Sequence, residues 1–190
     1  GDAYVYKDGE NAGDIYSGTG PVREYPTCFL YICKSVDEGL TWSKPECLNL
    51  QVKDKYMTFI GACPGAGLKI KNGKHAGRLV LPIYFNTLSK MLSLSSCVIY
   101  SDDGGVTWKR GKSPNDGRRS FIFKLSSRFV GEPDMITESQ VIEMPDGVLR
   151  MFMRNHSPKR LISMAESRDG GETWTNYRYN KALVHPICQV

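Results

Sequence analysis

The sequence predicts an all-β fold of the β-propeller type, and three observations carry the prediction. A phrase of the form Ser-x-Asp-x-Gly-x-Thr-Trp occurs three times, as SVDEGLTW (35–42), SDDGGVTW (101–108) and SRDGGETW (167–174). Its interval is constant: Asp37, Asp103 and Asp169 stand 66 residues apart, as do Trp42, Trp108 and Trp174. Self-similarity at a fixed period marks stacked or radially arranged units. Finally, each phrase follows a strand-like run (CFLYICK, SSCVIY, RLISMAE) and precedes a short polar–apolar segment, so it reads as the turn of a hairpin.

Taken in chain order, the elements support two to three four-stranded antiparallel blades. Residues 1–25 are turn-rich and read as the end of an insertion or linker, leaving 26–190 as a partial propeller domain. Residues 26 to 50 read as the outer half of a first blade. Two fuller blades follow at 57–112 and 134–180, separated by a connection at 113–133. In each, an apolar run (GAGLKI, ESQVIEM) precedes a second strand, GRLVLPIYF at 77–85 and GVLRMFMRN at 147–155, a 70-residue offset. Residues 182–190 read as the inner strand of a further blade.

The repeated phrase has the chemistry of a self-satisfied turn. Its Asp can accept backbone N–H bonds a few residues on. Gly39, Gly105 and Gly171 tolerate positive φ. The Trp can fill space between neighbouring sheets.

Composition narrows the function classes. The 190 residues are 24% charged and 41% hydrophobic, ordinary for a globular protein. The net charge of +5 mildly favours an anionic ligand, and no basic run with interleaved aromatics points to nucleic acid. Apolar stretches such as RLVLPIYF are strand-length, so no membrane span is expected. Cys28, Cys33 and Cys97 lie in strand-like runs and read as buried thiols. The histidines lack ligand spacing with any cysteine pair, so no metal or other cofactor is expected.

One pair of residues invites chemistry. PDG at 145–147 marks a tight turn between MITESQVIEM and VLRMFMRN. A three-residue loop puts Met144 opposite Val148 and, counting back along both strands, Glu138 opposite Arg154. Directly opposed residues have Cβ atoms about 5 Å apart. Inner strands line a propeller's central channel, so this pair would face it, unless it is simply a cross-strand ion pair. Shifting Arg154 back by one blade lands on Tyr84, which should face the same centre or else pack between blades. Ile136, two before Glu138, shares its strand face in this reading and supplies an apolar wall.

In these residues and their order, the chain resembles the large secreted bacterial sialidases. The repeated phrase is their Asp box, which other propellers also carry. More specific is the combination: FIGACPGAGLKIKNGKHAGRLVLPIY resembles the family's Gly-Pro-Gly-x-Gly and Gly-Arg-x-x-x-Pro-x-Tyr segments, and TESQVIEMPDGVLRMFMRN resembles its Thr-Glu-Ser and Phe-Met-Arg strands. The resemblance implies a six-bladed parent that releases terminal sialic acid from glycans with retention, by a Tyr nucleophile rather than a second carboxylate. It implies that Glu138 is the base toward that Tyr, that Arg154 is the second Arg of a three-Arg clamp on the sialic acid carboxylate, and that Tyr84 lines the substrate pocket. The family's remaining Arg residues, acid/base Asp and nucleophilic Tyr fall outside the match. The chain alone is therefore expected to be inactive and to need the rest of the catalytic domain, with a sialylated glycan as its partner. A secreted or cell-surface bacterial location follows from the same resemblance. Residues 1–25 resemble an insertion that favours the intramolecular trans-sialidase subgroup. Ile136 stands where some relatives carry a polar residue, which leaves the product open. The alternatives from other classes are a non-catalytic binding propeller and a glycosidase with paired carboxylates.

Overall fold

The computed structural model describes residues 28–54, 57–87, 94–116 and 135–185. Among the described residues, eleven strands form three antiparallel sheets, with one four-residue helix beside them. The first sheet is the hairpin β1 (Tyr31–Ile32) and β2 (Glu46–Cys47), followed by α1 (Asn49–Val52). The second runs β3 (Met57–Ala62), β5 (Leu79–Thr87), β6 (Ser95–Ser101) and β7 (Lys109–Arg110), with β4 (Leu68–Lys69) also paired to β5. The third runs β8 (Ile136–Glu143), β9 (Leu149–Asn155), β10 (Leu161–Ser167) and β11 (Thr175–Val184). These are the expected half-blade and two fuller blades.

The inner strand of the middle blade is broken. The sequence suggests a run at GAGLKI, but β3 lies earlier and only Leu68–Lys69 resume the pairing. Pro64 cannot donate to a ladder, and Gly65 takes φ +111. The inner strand expected at 182–190 is also corrected: residues 182–184 end the outer strand β11, and 186–190 lie outside the described residues. So do the expected insertion at 1–25 and most of the connection at 113–133.

Two apolar cores cement the sheets. Leu48, Val52, Met57, Ile60, Ile83 and Ile99, with others, join the half-blade to the middle blade. Val80, Val98, Leu149, Met151 and Met153, with others, join the middle blade to the third. Strand β6 is buried throughout because both of its faces are covered. Cys97 is buried as expected, Cys28 only partly. Cys33 is exposed, contrary to the expectation, because it follows a two-residue strand in a sheet of two.

Each repeated phrase closes on itself. Asp103 accepts from Thr107 N at 2.9 Å, from the Thr107 hydroxyl at 2.5 Å and from the Ser101 hydroxyl at 2.7 Å. Asp37 and Asp169 repeat the set with Thr41 and Ser35, and with Thr173 and Ser167. The second and third phrases also lean on the blade before them. Trp108 is 4% exposed in the core shared with the half-blade, and its backbone N–H donates to Gln51 Oε1 at 2.7 Å. Trp174 packs on the core shared with the middle blade. Trp42 has no described blade before it and is 64% exposed.

Candidate functional site

The hairpin turn at 145–147 forms as the spacing predicts. Met144 N donates to Val148 O, and Gly147 N to Met144 O, both at 2.8 Å. The register then runs from Glu143↔Leu149 to Ser139↔Met153. Buried and half-buried residues alternate along β9, placing Arg150, Phe152 and Arg154 on its less buried side. Across from Arg154 stands Glu138: Arg154 Nη1 donates to Glu138 Oε2 at 2.8 Å. The two side chains are 25% and 20% exposed, a pair neither sealed nor fully solvated. Arg154 Nε is buried and makes no hydrogen bond among the described residues. A guanidinium has five N–H donors, so this one keeps capacity for a second acceptor.

Tyr84 lies one blade back on β5, opposite Gly61 of β3. On β5, Ile83 and Phe85 face the half-blade core while Val80 faces the third blade. Alternation therefore turns Tyr84 toward the third blade. Burial pushes its phenol above the ordinary value, the negative charge of Glu138 adds to this, and Arg154 opposes it. The three residues thus form one electrostatic cluster. A phenol held protonated is a hydrogen-bond donor rather than a nucleophile. Its ring leans on Phe59, with centroids 5.1 Å apart, and an ideal Cβ on Gly61 would come within 3.0 Å of Phe59 and 3.3 Å of Tyr84. Phe59 and Gly61 were not legible as site residues, because nothing in the sequence marks which end of β3 faces Tyr84.

The blades are stitched together beside this cluster. Ser139 N donates to Cys63 Sγ at 3.2 Å, and the Ser139 and Ser96 hydroxyls lie 2.9 Å apart. Burial pushes the Cys63 thiol up. Gln140 Nε2 donates to the Pro64 carbonyl.

Ile136 does not serve as the expected wall. It is fully buried in the core between the two blades, with Val141 and Met153. A register shift between Ile136 and Ser139 reverses the alternation, so Ile136 and Glu138 leave opposite faces of β8. A cavity of about 170 Å³ lies elsewhere, between the half-blade and the middle blade, against Leu30, Leu48 and Leu81. We read it as a packing gap, since its lining is mainly apolar and includes neither Glu138 nor Arg154.

Residues 15–186 match the BNR repeat-like domain family. A sialidase of Bacteroides fragilis is 32% identical over 164 residues, covering 85% of this chain and 25% of that protein. The solved Hadza microbial sialidase Hz136 superposes with a TM-score of 0.65 and 28% identity, covering 95% of this chain and 31% of that one. The intramolecular trans-sialidase of Ruminococcus gnavus, solved with oseltamivir carboxylate, superposes at 0.62 with 30% identity, covering 84% and 28%. The chain spans less than a third of each.

Proposed function

The chain belongs to the BNR repeat-like family, among the sialidases, and from that premise we propose that it is part of an exo-α-sialidase catalytic domain. Its substrate class is a sialylated glycan, and its place of action the cell surface or the medium. The observation that carries the reading is the Glu138–Arg154 pair at 2.8 Å beside Tyr84. In this reading, Arg154 grips the sugar carboxylate with its unspent donors, since a guanidinium holds a carboxylate bidentately and stays charged. Glu138 is the base that draws the proton from a Tyr nucleophile supplied by the rest of the domain. Tyr84 donates a hydrogen bond to the bound sugar and takes no covalent part. Activity belongs to the assembled domain and not to this portion alone. The likeness to the Ruminococcus gnavus enzyme supports a second outcome at the same site, intramolecular transfer to give an anhydro sugar.

The test is turnover of a fluorogenic sialoside by the intact parent protein. Glu138→Gln should lower kcat by about 10²–10⁴, the usual worth of a positioned base. Arg154→Ala should raise KM. If both variants turn over like wild type while folded, the pair is only a cross-strand ion pair; if the wild-type parent cleaves no sialoside, the binding-propeller alternative takes over. Product analysis separates free sialic acid from the anhydro sugar.

A further inference from the structure

We propose that Arg78 is a positioning residue for the Tyr84–Glu138–Arg154 cluster, a latch that fixes the angle between the two fuller blades. The inference rests on the functional reading of that cluster. Arg78 is 5% exposed, and its guanidinium spans the seam. On its own blade, Nε and Nη2 donate to the two Asp102 oxygens at 2.7 and 3.0 Å. On the next blade, Nη1 donates to the carbonyls of Asp169 and Gly170 and to Glu172 Oε1, at 3.1, 3.2 and 3.0 Å. The group also lies over the Tyr100 ring, 4.2 Å from its centroid.

The repeat does not demand any of these charges. The offset that carries Tyr84 onto Arg154 carries Arg78 onto Val148. At the second position of the three phrases stand Val36, Asp102 and Arg168; at the sixth stand Leu40, Val106 and Glu172. A general scaffold role would need the charges at every blade. Among the three phrases they converge only on the seam that also carries the cluster.

Position supplies the mechanism. Arg78 immediately precedes β5, which carries Tyr84 six residues on. The turn it grips follows β10, the partner of β9, which carries Arg154. At 3.3 Å per residue the latch sits about 20 Å from the cluster, at the other end of the same strands. Apolar packing between the blades is non-directional, whereas a guanidinium bonded on both sides fixes orientation. A tilt of about 5° at the latch displaces the far end by about 2 Å, and about 1 Å of misplacement can cost 10²-fold in rate.

The test compares wild type, Arg78→Lys and Arg78→Met in the intact parent protein, with two readouts. The first is kinetics on a fluorogenic sialoside: KM should rise at least about fivefold, as expected for lost positioning. A merely structural role would lower Tm and the active fraction while leaving KM of the folded enzyme unchanged. The second does not depend on activity. Cys63 bridges the blades at the cluster end through Ser139. Its alkylation by iodoacetamide, resolved by peptide mass spectrometry, should accelerate at least about fivefold relative to exposed Cys33 as the seam opens. Arg78→Lys keeps the charge and gives both readouts if Arg78→Met does not fold. A Cys63 rate equal to wild type overturns the latch, whatever the kinetics. If wild type cleaves no sialoside, the functional reading falls, and the Cys63 rate alone decides the latch.

Discussion

Glu166 offers a sharp test of the outer electrostatics of the third blade. Its carboxylate accepts from Arg178 Nη2 at 2.9 Å, Asn176 Nδ2 at 3.1 Å and Arg150 Nε at 3.1 Å. The hydrogen bonds from Arg178 and Asn176 hold its pKa down, from 4.5 to about 2. That span, at 1.36 kcal/mol per unit, sets an upper limit of about 3 kcal/mol. The Glu166 side chain is 10% exposed, but Arg150 and Arg178 reach solvent at 36% and 46%. Screening there reduces the expected contribution to about 1–2 kcal/mol. The sign follows from proton linkage: below 4.5 the unfolded carboxyl binds a proton that the folded one still refuses. The stabilisation is therefore complete above pH 4.5 and is lost as pH falls through about 2. Urea denaturation of the intact protein and of Glu166→Gln, repeated between pH 7 and pH 3, measures it. The variant should be weaker by about 1–2 kcal/mol at pH 7, with the gap falling by more than half at pH 3. A gap that stays constant with pH would refute the argument, because the cost would then belong to shape and not to charge.

Two further outcomes follow from local geometry. Gly171→Ala and Gly73→Ala both place a side chain at positive φ, but only the first drives a Cβ to 2.8 Å from Val98 Cγ2, whereas the second enters open space. Thermal unfolding should show a cost of about 1 kcal/mol at Gly73 and about 2–4 kcal/mol at Gly171; equal costs would mean the close approach is unimportant. His185 is buried, and its Nε2 accepts from Asn155 N at 3.0 Å, a bond only the neutral ring can take. Burial lowers its pKa, so its contribution is present above 6.5 and is lost as pH falls through the lower folded value. Denaturation midpoints should drop between pH 7 and pH 5 in wild type, and less in His185→Gln.

What could be read in advance depended on how local each signal was. Glu138 opposite Arg154 was legible because a three-residue turn fixes register over the few residues between them. The three Asp turns were legible because each is satisfied within eight residues. Ile136 was misread because a strand bulge, invisible in an alternating pattern, reverses the face between it and Ser139. Cys33 was misread because its burial depends on which strands are present beside it and not on its own run. Arg78 sits inside a recognisable Gly-Arg motif, yet its partners are 24 and 94 residues away on two blades. No pattern along the chain could pair them before the blades were docked.

The backward lean of the repeated turns gives the propeller a direction. Trp108 rests on the half-blade before it and Trp174 on the middle blade before it. Interaction in such repeats runs between neighbours. A chain emerging from the ribosome amino end first would therefore meet each seat already built, so every new hairpin could settle on the one just finished. Assembly in that order would be a ratchet: each unit stabilises the last and leaves one fresh surface for the next.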